Sequence, residues 1–122
     1  MENEIKSPED LIVYQKAYKF GFEVIKICRI FPKNDEARIL KSQLIRSATS
    51  IAANIAEGYG GNKKGTSYKN YLIIARRSAT ESQTWMKFCL DCQFINNKNF
   101  NILTNNCKEI ITILTAIIRK LK

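Results

Sequence analysis

Apolar residues recur at alternating intervals of three and four through almost the whole chain, and that spacing narrows the possible folds more than any single motif does. Phe100, Leu103, Cys107, Ile110, Leu114, Ile117 and Leu121 keep it strictly, and Ala37, Leu40, Leu44, Ala48, Ile51 and Ile55 keep it nearly as well. Such intervals line up one face of a helix, whereas the period-two alternation of a strand is almost absent. The chain is expected to be all-α.

Capping signals divide the pattern into four helices. Ser7-Pro8-Glu9-Asp10 opens the first, with a capping serine, proline at the first helical position and acids in the first turn. Leu11, Tyr14, Tyr18, Gly21, Ile25 and Cys28 form its expected inward stripe, and Phe31-Pro32 closes it, because a residue before proline is pushed out of the α region. Asn34-Asp35-Glu36 starts the second helix and Gly58 is its expected stop. The third begins at Thr66 or Ser67, with Tyr68, Leu72, Ala75, Ala79, Ser82, Met86 and Cys89 inward, and Asn96-Asn97 turns the chain into the fourth. The expected spans are approximately 8–31, 35–58, 66–94 and 97–121. Long helices on short connections make antiparallel neighbours, so the 122 residues should form one domain, an up-down-up-down four-helix bundle.

The first helix is apolar over more of its surface than one bundle needs. Beyond its main stripe lie Ala17, Val24 and Phe31 and then Val13, Phe20 and Ile27, an arc of roughly 200° where a core-facing helix needs little more than about 100°. The flank of Val13, Phe20 and Ile27 is therefore the expected surface for self-association, with packing against the N-terminal residues as the alternative.

Twenty Lys and Arg against eleven Asp and Glu leave a formal net charge of +9, more than solubility requires in a domain this small. The excess implies an acidic partner, with nucleic acid first, an anionic membrane surface second and a merely solvated basic face as the alternative. Neither a leader-like N-terminus nor an apolar run approaching the roughly 18 residues of a membrane span is present, so a cytoplasmic protein is expected. Four cysteines, Cys28, Cys89, Cys92 and Cys107, include one CxxC pair, but the chain has no histidine and no second pair, so neither a metal site nor a cofactor is expected.

Residues 54–65, NIAEGYGGNKKG, have the composition of a phosphate-binding loop. The order is wrong for one: these glycines follow a helix rather than a strand, and Lys64 precedes Gly65-Thr66 instead of following a glycine. What remains is a loop carrying Lys63 and Lys64 beside a helix N-terminus, either a phosphate contact or a solvated hairpin loop. A second unusual feature is polar. Gln43, Ser47, Ser50, Asn54 and Glu57 make a stripe beside the apolar stripe of the second helix, and buried polar groups need partners. In a hairpin turning near residue 62, position i faces approximately 124 − i, which sets Glu81 against Gln43, Arg46 and Ser47, and Glu57 against Ser67, Tyr68 and Tyr71. A structural network of Gln43, Arg46, Ser50, Asn54, Glu57, Ser78 and Glu81 is expected between helices two and three. By the same rule Glu57 and Glu81 lie roughly 20 Å apart, too far to act on one bond, so no catalytic residue is assigned.

The third helix also carries a basic ridge, Lys69 and Arg76 with Thr80, Gln83 and Lys87, and Arg77 toward the second helix. Lys63, Lys64, Lys69, Arg76 and Arg77 are the expected nucleic-acid contacts, with Tyr59 as a candidate for stacking on a base.

Several of these runs resemble a known family. They are Asp10-Leu11-x-Val13-Tyr14-Gln15-Lys16-Ala17, Phe31-Pro32, Gln43-x-x-Arg46-x-Ala48-x-Ser50-Ile51-x-x-Asn54-Ile55-Ala56-Glu57-Gly58 and Tyr71-Leu72-x-x-Ala75-Arg76-x-Ser78-x-x-Glu81. Together they resemble the four-helix-bundle proteins encoded in intervening sequences of bacterial 23S rRNA genes and the related accessory protein of diversity-generating retroelements. The sequence departs from that pattern at Arg77, where the family has a small residue, and at Gly61, where a basic one is common. The resemblance implies a bundle assembled into a homo-oligomeric ring, typically a pentamer, with a basic surface suited to RNA more than DNA. In the retroelement branch it implies a reverse transcriptase as partner. Two expectations follow: a non-enzymatic nucleic-acid-binding accessory protein, or a protein–protein assembly scaffold, neither with a small-molecule substrate or a membrane.

Overall fold

A computed structural model describes residues 8–59 and 66–121. Within them lie four α-helices and no strand: α1 Pro8–Cys28, α2 Asp35–Tyr59, α3 Thr66–Asp91 and α4 Asn97–Lys120. Lys63 and Lys64 lie outside the described residues.

Each helix ends for a local reason. After Cys28 the chain tightens, Ile30 and Phe31 donating to carbonyls three residues back, so α1 stops before the expected position near Phe31. Asn34 then caps α2, its Oδ1 accepting from the Ala37 N–H at 2.8 Å. Gly58 is not the stop expected for it, because α2 continues through it to Tyr59. It is instead a point of close approach: a Cβ there would lie 3.0 Å from the Tyr68 ring and 3.2 Å from Tyr71 Cβ. The end of α3 also differs from expectation. Gln93 takes the left-handed conformation at φ 66°, and Phe94 and Gln93 donate to the carbonyls of Cys89 and Leu90, both at 2.9 Å. These are the two bonds of a Schellman motif, closing the helix at Asp91 without a glycine. Phe94 swings back to within 5.5 Å of Phe31, ring to ring, bringing the α1–α2 and α3–α4 connections together. Asn96 caps α4 by accepting from Asn99 N–H at 2.7 Å.

The helices pack as a bundle, α1 and α3 each against both α2 and α4. Leu44, Ala48, Ile51 and Ile55 of α2, Leu72, Ala75, Ala79 and Met86 of α3, and Leu103, Cys107, Ile110 and Leu114 of α4 are sealed in the core. On these three helices the buried stripes are the ones their spacing points to. No helix of the described residues is long and apolar enough to cross a membrane.

The first helix is rotated from expectation. Val13 and Phe20 are core residues at 0% and 1% exposure, and Ile27 packs against the core half-buried, so this flank is closed to a second copy. Leu11, Tyr18 and Phe22 face outward instead, Tyr18 at 61%. The hydroxyls explain the choice. The buried line of Val13, Ala17, Phe20 and Val24 has no side-chain polar atom, whereas the alternative contains Tyr14 and Tyr18, each with a hydroxyl that burial would have to satisfy.

The close approach at Gly58 yields a stability test. Alanine gains about 1 kcal/mol of helix propensity over glycine, but crowding a packed interface costs about 1–3 kcal/mol, and Tyr71 Cβ cannot retreat without moving α3. Gly58→Ala should lower the urea midpoint; a raised midpoint would show that the interface yields.

Candidate nucleic-acid interface

Two surfaces meet along α3, a polar seam toward α2 and a cationic flank toward α4. The seam has a buried centre. Ser47 and Ser82 hydroxyls bond at 2.8 Å, and Ser82 also donates to the Ser78 carbonyl at 2.9 Å. One turn along, Ser78 Oγ donates to Ser50 Oγ at 3.0 Å, and Asn54 Nδ2 donates to Ser50 Oγ and carbonyl at 2.9 and 2.8 Å. Serine and asparagine fit because short side chains let two backbones approach while satisfying one another. The partners also correct the expected register. The rule of approximately 124 − i sets residue 77 against Ser47 and residue 74 against Ser50, but Ser82 and Ser78 stand there.

At the solvent edge of the seam, Arg46 joins Gln43 Oε1, at 2.9 Å, to Glu81, with which it forms an ion pair. Trp85 Nε1 donates to the same carboxylate oxygen at 3.1 Å. Burial alone would raise the Glu81 pKa, but the hydrogen bonds from Trp85 and Arg46 and the Arg46 charge outweigh it, and the pKa is lowered. Glu57 is exposed, and its neighbour Gly58 packs on Tyr68 and Tyr71. Tyr59 belongs to α2 rather than to a loop and stacks on Tyr68 with ring centroids 6.0 Å apart, which commits it to packing.

The basic residues do not form the single ridge expected. Arg76 reaches across to α4, donating to Thr115 Oγ1 at 3.3 Å. Lys69, seven residues earlier, shares its stripe, whereas Arg77 is exposed and points about 100° further round the helix. Lys87 is paired with Asp91 at 3.0 Å. The α3–α4 contact adds two residues that the sequence reading missed. Lys108 and Arg119 are seven residues before and four after Thr115, on its side of α4, and both are exposed. No carboxylate among the described residues pairs with Lys69, Arg76, Lys108 or Arg119. The missing signal was the Arg76–Thr115 contact, since spacing within α4 shows a stripe but not its neighbour.

Three cysteines serve packing. Burial pushes the Cys28 thiol up to about 11 and Cys89 and Cys107 to about 12, and Cys107 Sγ donates to the Ala79 carbonyl. Among the described residues no group of three His, Cys, Asp or Glu side chains is placed to hold a metal ion.

A serine seam inside and a cationic flank outside define a small basic helical-bundle protein whose distinctive features are surfaces. Comparison with known proteins names its kin. The chain belongs to the 23S rRNA-intervening sequence protein family, whose profile matches residues 9–116. Its fold is similar to a crystal structure from Bacteroides thetaiotaomicron VPI-5482, described as a protein of unknown function from the S23 ribosomal protein family. The two are 25% identical with a TM-score of 0.83, over 91% of this chain and 98% of that one. No curated protein matches the chain.

The Glu81 pair generates a pH test. Because its folded pKa lies below the unfolded value, its contribution is present above the ordinary carboxylate range and disappears as pH falls through the folded pKa. With Glu81 39% exposed, screening holds that contribution below about 1 kcal/mol. Glu81→Gln should be slightly less stable than the parent at pH 7, and the two melting curves should converge on acidification.

Proposed function

We propose that this protein is a non-enzymatic RNA-binding accessory protein of the bacterial cytoplasm, working as an antiparallel up-down-up-down bundle assembled into a homopentameric ring. The observation that carries the reading is the α3–α4 flank, where Arg76 bridges the helices with Lys69, Lys108 and Arg119 on the same side and no carboxylate among the described residues offsets them. A cationic strip of this kind holds phosphates without reading bases, and the family to which the chain belongs takes its name from 23S rRNA intervening sequences. In a ring the strip is repeated by symmetry, which raises avidity for a long strand.

The assembly surface in this reading is the face that α1 turns outward. Tyr14, Tyr18, Phe22 and Ile25 with Ala53 and Ala56 of α2 line an apolar groove of about 280 Å³. Its small α2 side chains leave room for an inserted side chain, and its α1 side chains present the apolar area an interface core needs.

Two measurements test these claims separately. Anisotropy of labelled structured RNA, titrated at several salt concentrations, should show a log–log slope of about 0.7 per phosphate contacted on single strands, and Lys69→Glu/Arg76→Glu should abolish binding. Salt-insensitive association would favour a protein-partner scaffold instead. For assembly, Tyr18→Glu/Phe22→Glu should reduce the mass measured by light scattering to that of a monomer while leaving helicity intact, since both side chains are exposed in the single chain. An unchanged mass would move the interface elsewhere.

A further inference from the structure

The turn between α1 and α2 holds charge that neither surface above uses. A cleft of about 340 Å³ opens there, within the range of about 300–1,000 Å³ typical of ligand pockets. Arg29, Lys33, Arg38 and Lys41 all line it, and Asp35 is the one acid that does. Asp35 is engaged by Arg38 at 3.5 Å, whereas no carboxylate among the described residues pairs with Arg29, Lys33 or Lys41. Holding three uncompensated cations around one concavity is electrostatically unfavourable, and an anion in the cleft relieves it. The helix end does not account for the site by itself, because Asn34 already caps the Ala37 N–H; the side chains supply the binding groups.

Resting on the RNA-binding reading, we infer that this cleft is a second phosphate-backbone site for the same RNA. Its chemistry selects backbone over bases. The aromatic in its wall, Phe31, is 5% exposed and its ring is occupied by Phe94, so no stacking platform faces the cleft. Two arginines and two lysines provide the forked and point-charge donors that phosphate oxygens accept. Its position is complementary to the first contacts. The Phe31–Phe94 contact puts the cleft at the end of the bundle carrying the α3–α4 turn, whereas Lys69 lies in the first turn of α3, near the opposite end. A strand bound at both places passes from one end of the bundle to the other and from its α1–α2 side to its α3–α4 side, a path longer than the roughly 37 Å of the 25-residue α2. The protein would then grip a length of RNA at two separated points, sensing its extent rather than its sequence.

The test compares Lys33→Gln/Lys41→Gln with Lys19→Gln/Lys98→Gln, which removes the same charge from exposed positions outside the cleft, in the RNA titration at several salt concentrations. Thermal melts verify that both variants fold like the parent. The expected result is about a tenfold loss of affinity for the cleft variant, a log–log slope reduced by about 1.4 for two lost phosphate contacts, and little change in the control. If the parent binds RNA and the two variants behave alike, the cleft is not a site, and the RNA-binding reading stands. If the parent binds no RNA even at low salt, both fail.

Discussion

The hydrogen bond between Ser47 and Ser82 is the contact on which the rest of the arrangement depends. Apolar stripes on two helices tolerate sliding by a turn, because one aliphatic side chain fits the space of another at modest cost. A buried hydroxyl does not tolerate it, since a slipped register leaves donors and acceptors unsatisfied at about 1–3 kcal/mol each. With Ser78 bonded to Ser50 one turn away, the seam fixes both the axial offset and the rotation of α3 against α2. That rotation decides which side of α3 meets α4, and so sets Arg76 beside Thr115. The cationic flank is thus a consequence of an uncharged seam on the other side of the same helix.

The first helix shows the same principle working through exclusion. Either of its two apolar stripes would satisfy the hydrophobic effect, and periodicity does not rank them. Tyrosine hydroxyls break the tie by keeping Tyr18 outside, and Gly21 packs against the backbone of α2 near Ala48 and Thr49. The outcome is a groove floored by small residues and edged by aromatics, an arrangement that the single chain leaves open.

Charge is distributed by the fold rather than by the sequence order. Lys87 lies in the ridge read from the sequence, yet Asp91 one turn later neutralises it. Lys108 and Arg119, far away in the chain, belong to the same flank as Arg76, while Arg77, its immediate neighbour, faces elsewhere. Arg29, Lys33, Arg38 and Lys41 were not legible as a group at all, because they straddle a turn and come together only when α1 and α2 fold back around Phe31 and Pro32.

What the sequence determined by itself was everything encoded within one helix: the four helical segments, the inward faces of α2, α3 and α4, the asparagines that begin α2 and α4, and the residue types of the polar seam. These depend on spacing of about 3.6 residues per turn and on capping chemistry, both local. Only the tertiary structure decided the rotation of α1, the offset that pairs Ser47 with Ser82, the burial of Gly58 and the meeting of Arg76 with α4. Those are relations between helices, and periodicity along one axis carries neither the axial offset nor the choice between two apolar faces; packing and the need to satisfy every buried hydroxyl supply both.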